Sequence, residues 1–310
     1  MADAATSLGW TGVAISVLGG TLRVSTPYLF VGLGECLTEK SGRINLGLEG
    51  TLVMGAMTGY GVSYLSGSPW LGVLAAGGAG SILGAMHAWI CSRPRVNDVA
   101  VGIAMMILGV GFAFFLGKAL IQPTAPRLPA IELGSWSSNP QVRSSLQVNV
   151  LLAIGALLAP TFAWGLKNTR WGLWLVTTGE SAEAARAMGI NVNRVRLWAT
   201  VAGGFLAGVG GSFLSLFYPG SWSEGLSSGQ GLMAVALVIF ARWSPVRCLF
   251  AALLFGGASA LGPALQSAGI SYGYHLFNAA PYVLTLVVMI ITSSRSKALA
   301  GAPGELTLGR

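Results

Sequence analysis

Apolar residues run along this chain in long blocks, separated by short polar stretches that hold nearly all of its charge. Nine blocks stand out, at approximately 11–34, 44–66, 69–91, 97–121, 147–166, 196–217, 228–242, 247–267 and 276–292. Most have about 20 residues, enough to cross a hydrocarbon core roughly 30 Å thick. Lipid offers the backbone no hydrogen-bond partner, so such blocks must be helical. The pattern predicts an all-α, polytopic transmembrane bundle of about nine spans, forming one domain over 1–310. Arg23 and Pro27 make the first block the least regular: it is either a kinked span or an interfacial helix followed by a short one. The seventh is short and follows YPGSWSEGLSSGQG. That stretch can dip into a membrane if protein or a water-filled cavity covers it.

Composition agrees. The chain is 53% hydrophobic and 9% charged, against about 25% charged in a soluble domain. The beginning, MADAATSLGW, lacks the basic region of a cleavable signal peptide. One alternating set of loops carries Lys40, Arg43, Arg93, Arg95, Lys167, Arg170, Arg186, Arg194, Arg196, Arg242, Arg247, Arg295, Lys297 and Arg310; the opposite set carries Arg127 and Arg143. Fourteen against two places the first set in the cytoplasm, with the N-terminus outside and the C-terminus inside. The net charge of +8 is thereby a topology signal and not a nucleic-acid surface. Cys36, Cys91 and Cys248 have no metal-ligand spacing and read as reduced structural residues. Trp70, Trp89, Trp164, Trp171 and Trp243 suit interfacial belts. Glycines four apart (Gly55 and Gly59, Gly80 and Gly84, Gly204 and Gly208) predict close helix packing, within one subunit or between two. AGGAGSILGA (76–85) and FGGASALGP (255–263) hint at an internal repeat, or at no more than a shared glycine and alanine bias.

Against this apolar background, GESAEAARAMGINVNR (179–194) is conspicuous. Glu180 and Glu183 lie early in the predicted helix, where acids favour the macrodipole. Arg186 follows, and Gly189 is the expected residue after the helix end. Ala184, Ala185 and Met188 would leave an uncluttered ridge for another protein's groove. The plainer reading is a solvated amphipathic loop helix. In the spans, Glu49 is a functional candidate because intramembrane charge is expensive; the alternative is a structural lock, through Arg43 or Arg23. Asn45 lies four residues earlier, on the same face if both are helical. An amide and a carboxylate there would hydrogen-bond a sugar or nucleoside, or satisfy each other. Asn97 and Asp98 open the fourth block and fit N-capping equally well. His87, Ser227 and Gln230 complete the pathway candidates, and His275 lies near the outer face.

Other classes are weak. Ser212 and His275 make a poor serine–histidine pair, no H-E-x-x-H occurs, and two histidines limit metal chemistry. An ion-coupled secondary transporter has only Glu49 and Arg23 to work with. A phosphate-binding loop is missing. Lys118 follows Gly117, but Ala119 stands where Ser or Thr is needed and Phe112 where the first glycine belongs.

Glu183-Ala184-Ala185 with Gly189 resembles the EAA-x-x-x-G motif of permease subunits of ABC-type importers. GECLTEKSGRINLGLEGTLVMGA (34–56), GQGLMAVALVIFARWSPV (229–246) and PYVLTLVVM (281–289) are similar to the branched-chain amino acid/ribose/nucleoside permease family. The resemblance covers most of 25–292 and is nearest to the shorter permease of nucleoside or simple-sugar importers. Lys40 replaces an arginine, and RVNDVAVG is more acidic than many relatives there. The resemblance implies that the loop at about 167–196 carries a coupling helix, with Glu180, Glu183, Ala184, Ala185, Arg186 and Gly189 engaging an ATPase subunit. It implies a bacterial inner-membrane location and no cofactor on this chain, ATP and Mg being held by the ATPase. It also implies a second homologous permease as a heterodimer partner, and an extracytoplasmic solute-binding protein.

Overall fold

The first apolar block folds as one helix, α1 (Gly9–Lys40), continuous through Pro27 and longer than the block predicted. Its extra length includes Glu35 and Glu39, which are 0% and 2% exposed. The structure, a computed structural model, describes residues 9–137, 142–143, 146–267, 277, 279–292 and 301–308. His275, Arg295, Lys297, Arg310 and residues 1–8 lie outside the described residues.

The remaining helices follow in order: α2 (Leu48–Ser66), α3 (Pro69–Cys91), α4 (Asp98–Gly117), α5 (Val150–Asn168), α6 (Arg170–Glu180), α7 (Ala182–Ala187), α8 (Val192–Leu216), α9 (Gln230–Phe240), α10 (Pro245–Ser267), α11 (Ala280–Thr292) and α12 (Gly304–Leu308). Each of the nine predicted blocks coincides with a helix. Among the described residues, six helical stretches are long and apolar enough to cross a membrane: Ala14–Lys40, Pro69–Cys91, Asp98–Leu120, Val150–Asn168, Val192–Leu216 and Pro245–Gln266. Of the other three, α2 has the length of a span but a more polar sequence, and α9 and α11 have only 11 and 13 residues.

The core is built around α8, which packs on α1, α2 and α3. Small residues make this possible. A methyl on Gly55 would collide with the backbone of Gly208, one on Gly80 with Gly204, and one on Gly34 with Gly203. The expected glycine pairs thus act inside this chain, letting helices approach to backbone contact. The two repeat-like stretches also sit at glycine contacts, 76–85 of α3 against α8 and Gly256 of α10 against Ser25 of α1. The cysteines are free and buried, as expected. Trp70, Trp89, Trp164 and Trp171 are exposed as a belt requires, but Trp243 is 4% exposed and belongs to the core.

The link between α4 and α5 contains two short antiparallel strands, β1 (Ala130–Glu132) and β2 (Gln147–Asn149), with Ala130 opposite Asn149. The same link is pinned to one end of the bundle. Tyr60 Oη donates to Pro123 O (2.7 Å), Ser63 Oγ donates to Pro126 O (2.9 Å), and Leu128 N donates to Leu216 O (3.0 Å). The opposite end gathers the close of α1 and α9, the starts of α4 and α8, and α6, α7 and α12.

Candidate functional site

Two groups of residues gather the sequence candidates. The first is the charged segment. It does not form one helix from Glu180 to Gly189: α6 ends at Glu180, Ser181 is extended, and a new helix, α7, starts at Ala182. Ser181 causes the break. Its Oγ accepts from Ala184 N (3.2 Å). This N-cap satisfies an otherwise free amide. Glu180 therefore closes α6, while Glu183 is the acid in the first turn of α7. Gly189 does close the segment, at φ +77, where other residues are strained. Ile190 N then donates to Ala185 O (3.0 Å).

The ridge is also narrower than expected. Ala185 is fully buried and packs with Ala182, Val192 and Ile190 against the chain's own fold. The exposed face consists of Glu183, Ala184, Arg186, Ala187, Met188 and Gly189, with Glu180 exposed just before it. Met188 is 61% exposed, a large apolar side chain beside small ones and two charges.

The second group surrounds Glu49, in the first turn of α2. Neither Arg43 nor Arg23 is its partner. One carboxylate oxygen accepts from Ser227 Oγ (2.5 Å) and Gly229 N (3.1 Å), the other from Gly231 N (2.7 Å). These donors lie at the start of α9, whose first amides need an acceptor and whose dipole favours an anion. Glu49 thus locks two helices. Gly231 lets the backbone of α9 meet that of α2 at Glu49. Gln230 Oε1 is buried here and has no hydrogen-bond partner among the described residues. Tyr282 Oη on α11 donates to Ser228 O (3.0 Å), closing the far side. The polar stretch before α9 is only partly covered by protein: Trp222 and Ser227 are buried, whereas Ser221, Ser223, Glu224, Gly225 and Ser228 are exposed, so the cover that a dip into the membrane needs is incomplete within this chain. Its Trp222 is 2% exposed and lies against Phe114.

The other candidates disperse. Asn45 precedes α2 and is not on its face. Its Oδ1 accepts from Gly47 N (3.0 Å), while its own N donates to Glu35 Oε1 (2.8 Å). Asn97 caps α4, accepting from Val99 N (2.9 Å) and Ala100 N (3.1 Å). Asp98 pairs with Arg43. His87 is buried, its Nε2 3.6 Å from Cys91 Sγ. Arg23 lies over the Tyr218 ring, 5.1 Å from its centroid, a cation–π contact. Glu35 and Glu39 escaped the sequence reading, although four-residue spacing put them on one face. Trp243 Nε1 donates to Glu39, which explains the burial of that tryptophan.

Comparison with known proteins completes the picture. The family described as branched-chain amino acid transport system, permease component, matches residues 6–293. The putative glucose ABC transporter permease protein TsgC13 of Haloferax volcanii is 35% identical over 263 residues, 83% of this chain and 80% of its own. The guanosine ABC transporter permease protein NupQ of Bacillus subtilis is 29% identical over 294 residues, 88% of this chain and 90% of its own. The nucleoside ABC transporter permease protein NupC of Lactococcus lactis is 28% identical over 295 residues, 89% and 91% of the two chains.

Proposed function

The chain belongs to the branched-chain amino acid transport permease family, and from that premise we propose that it is the permease subunit of an ABC-type importer carrying a nucleoside or a simple sugar. The relatives named for nucleosides and guanosine align over nearly the whole chain, which favours a nucleoside. The higher identity to a relative named for glucose favours a sugar as the second reading. Both are small solutes rich in hydroxyls. An ion-driven carrier has less support, because both oxygens of Glu49 are engaged by its own chain.

In this reading the chain is multi-pass in a bacterial inner membrane. Its N-terminus is outside, its C-terminus and α7 are in the cytoplasm, and it forms half of a pathway with a second, homologous permease. We count α2 as a further span. It has 19 residues and packs among α3, α4 and α8. A helix of that size reaches about 28 Å, at a rise of about 1.5 Å per residue. The short α9 and α11 act as partial spans. The pathway passes Gln230, whose Oε1 has no partner among the described residues, while Asn45, Glu49, His87, Asn97 and Asp98 shape it from behind. A solute-binding protein delivers to the outer face. ATP and Mg stay on separate ATPase subunits, which grip Glu183, Ala184, Arg186 and Gly189, with Glu180 at the rim and Ala185 as the buried foot of α7. ATP-driven closure of those subunits displaces α7 and shifts the spans between outward and inward states.

The exposed, small-residue face of α7 carries this reading. Glu183→Arg tests it: the variant should fold, lose its ATPase partner on co-purification and lose uptake in proteoliposomes. Normal co-purification and uptake would refute the docking role. A thermal-shift screen of the associated binding protein against nucleosides and sugars decides the solute.

A further inference from the structure

The C-terminal segment 301–308 offered nothing to the sequence reading, yet it is tied into the base of α7. Glu305 Oε1 accepts from Ala182 N (2.8 Å), and Oε2 pairs with Arg196 Nη2 (3.0 Å) on α8. Arg196 also donates through Nε to Ser41 O (3.0 Å), just past α1. The Arg196 and Glu305 side chains are 12% and 22% exposed. Water and salt therefore screen this pair less than a surface pair. Ala302 and Leu306 pack on the main core, and Pro303 is buried. Gly42 accommodates the crossing: at φ +84, an added methyl would come within 2.9 Å of both Arg196 Nη2 and Glu305 Cβ.

This geometry answers a mechanical difficulty. α7 has only six residues, joined to its neighbours through Ser181 on one side and Gly189 on the other. Its substantial packing is with α6 and α8, which flank it in the chain. A helix so short and so hung would swivel when pushed, and displacement would not reach the spans. Coupling requires a continuous physical network with discrete arrangements. Glu305 supplies a cross-brace, joining the base of α7 to α8 directly and to the close of α1 through Arg196.

We propose that Glu305 is a positioning residue of the transport cycle, bracing the coupling helix against α8 and α1 so that work done on α7 reaches the spans. The inference rests on the coupling role of α7 proposed above. It is tested in proteoliposomes holding the assembled transporter, by measuring solute moved per ATP hydrolysed for Glu305→Ala and Glu305→Gln. A coupling element of this kind carries on the order of tenfold, so Glu305→Ala should lower the ratio by about that factor while its ATPase still co-purifies and hydrolyses ATP. Glu305→Gln keeps an acceptor for Ala182 N and loses the ion pair, and should fall in between. Mere loss of folded protein would lower uptake and hydrolysis together and leave the ratio unmoved. If Glu305→Ala fails to fold, the isosteric Gln variant decides. A wild-type ratio in the folded variants overturns the brace. Glu183→Arg, run in parallel, separates the two readings: if it loses the ATPase while the Glu305 ratio stays normal, only the brace fails; if it transports normally, the coupling role itself is wrong.

Discussion

Glu49 was the most expensive residue of the chain on sequence grounds, and its surroundings show what it is for. Three donors from the start of α9 converge on it across 178 to 182 positions of sequence. Glu49→Gln replaces one acceptor oxygen by a donor and leaves an amide or hydroxyl without a partner. An unmet buried group costs about 1–3 kcal/mol, so the solubilised variant should melt several degrees lower, with solute selection in uptake assays unchanged. An unaltered melting temperature with altered selection would return Glu49 to the pathway. At this scale the sequence was readable where chemistry is local. Asn97 caps the helix it begins, and Gly189 turns the chain after α7. It was unreadable where a partner is remote: Glu39 meets Trp243 204 positions away and Glu305 meets Arg196 109 away, and no spacing rule connects them. The Asn45–Glu49 stripe failed for a different reason. It assumed that the helix had already begun at residue 45, whereas the backbone there is irregular and Asn45 serves Gly47.

Among the elements, α8 carries the most consequence, since three other helices meet it at backbone distance. Two glycines of α3 make a controlled comparison. A methyl at Gly80 would strike the carbonyl of Gly204, while Gly78, half a turn away, faces open space. Gly80→Val should cost at least the roughly 1–3 kcal/mol typical of overpacking, because backbone cannot yield as a side chain does. Gly78→Val should stay within about 0.5 kcal/mol. Fluorescence-detected size exclusion of the heated variants checks both, and equal behaviour would remove the packing argument. Apolar length revealed the helices well because burial in lipid demands it. It misplaced ends where polar residues are buried and paired, as at Glu35 and Glu39, and where one hydroxyl restarts a helix, as at Ser181. The β1–β2 pair was missed because three-residue strands leave no periodicity to detect.

Taken whole, the molecule has two unlike ends. Contacts place the close of α1, the start of α8, the base of α7 and the C-terminal segment together, and that end holds Arg43, Arg196 and Arg242. The other end holds the α4–α5 link, with Arg127 and Arg143. Lysine and arginine resist transfer across a membrane during insertion, which argues that the richer end stays in the cytoplasm. The docking role proposed for α7 makes the same demand, because ATP is cytoplasmic and a helix that docks an ATPase must lie on that side. Single cysteines measure it. Met188, 61% exposed just after α7, and Trp136, 75% exposed on the α4–α5 link, can each be replaced in the native background, whose three cysteines are buried. A membrane-impermeant maleimide should label Trp136→Cys in intact cells and leave Met188→Cys unlabelled; inside-out vesicles should give the reverse. The opposite pattern would put α7 outside the cell, beyond reach of any ATPase, and both the docking of α7 and its bracing by Glu305 would fall together.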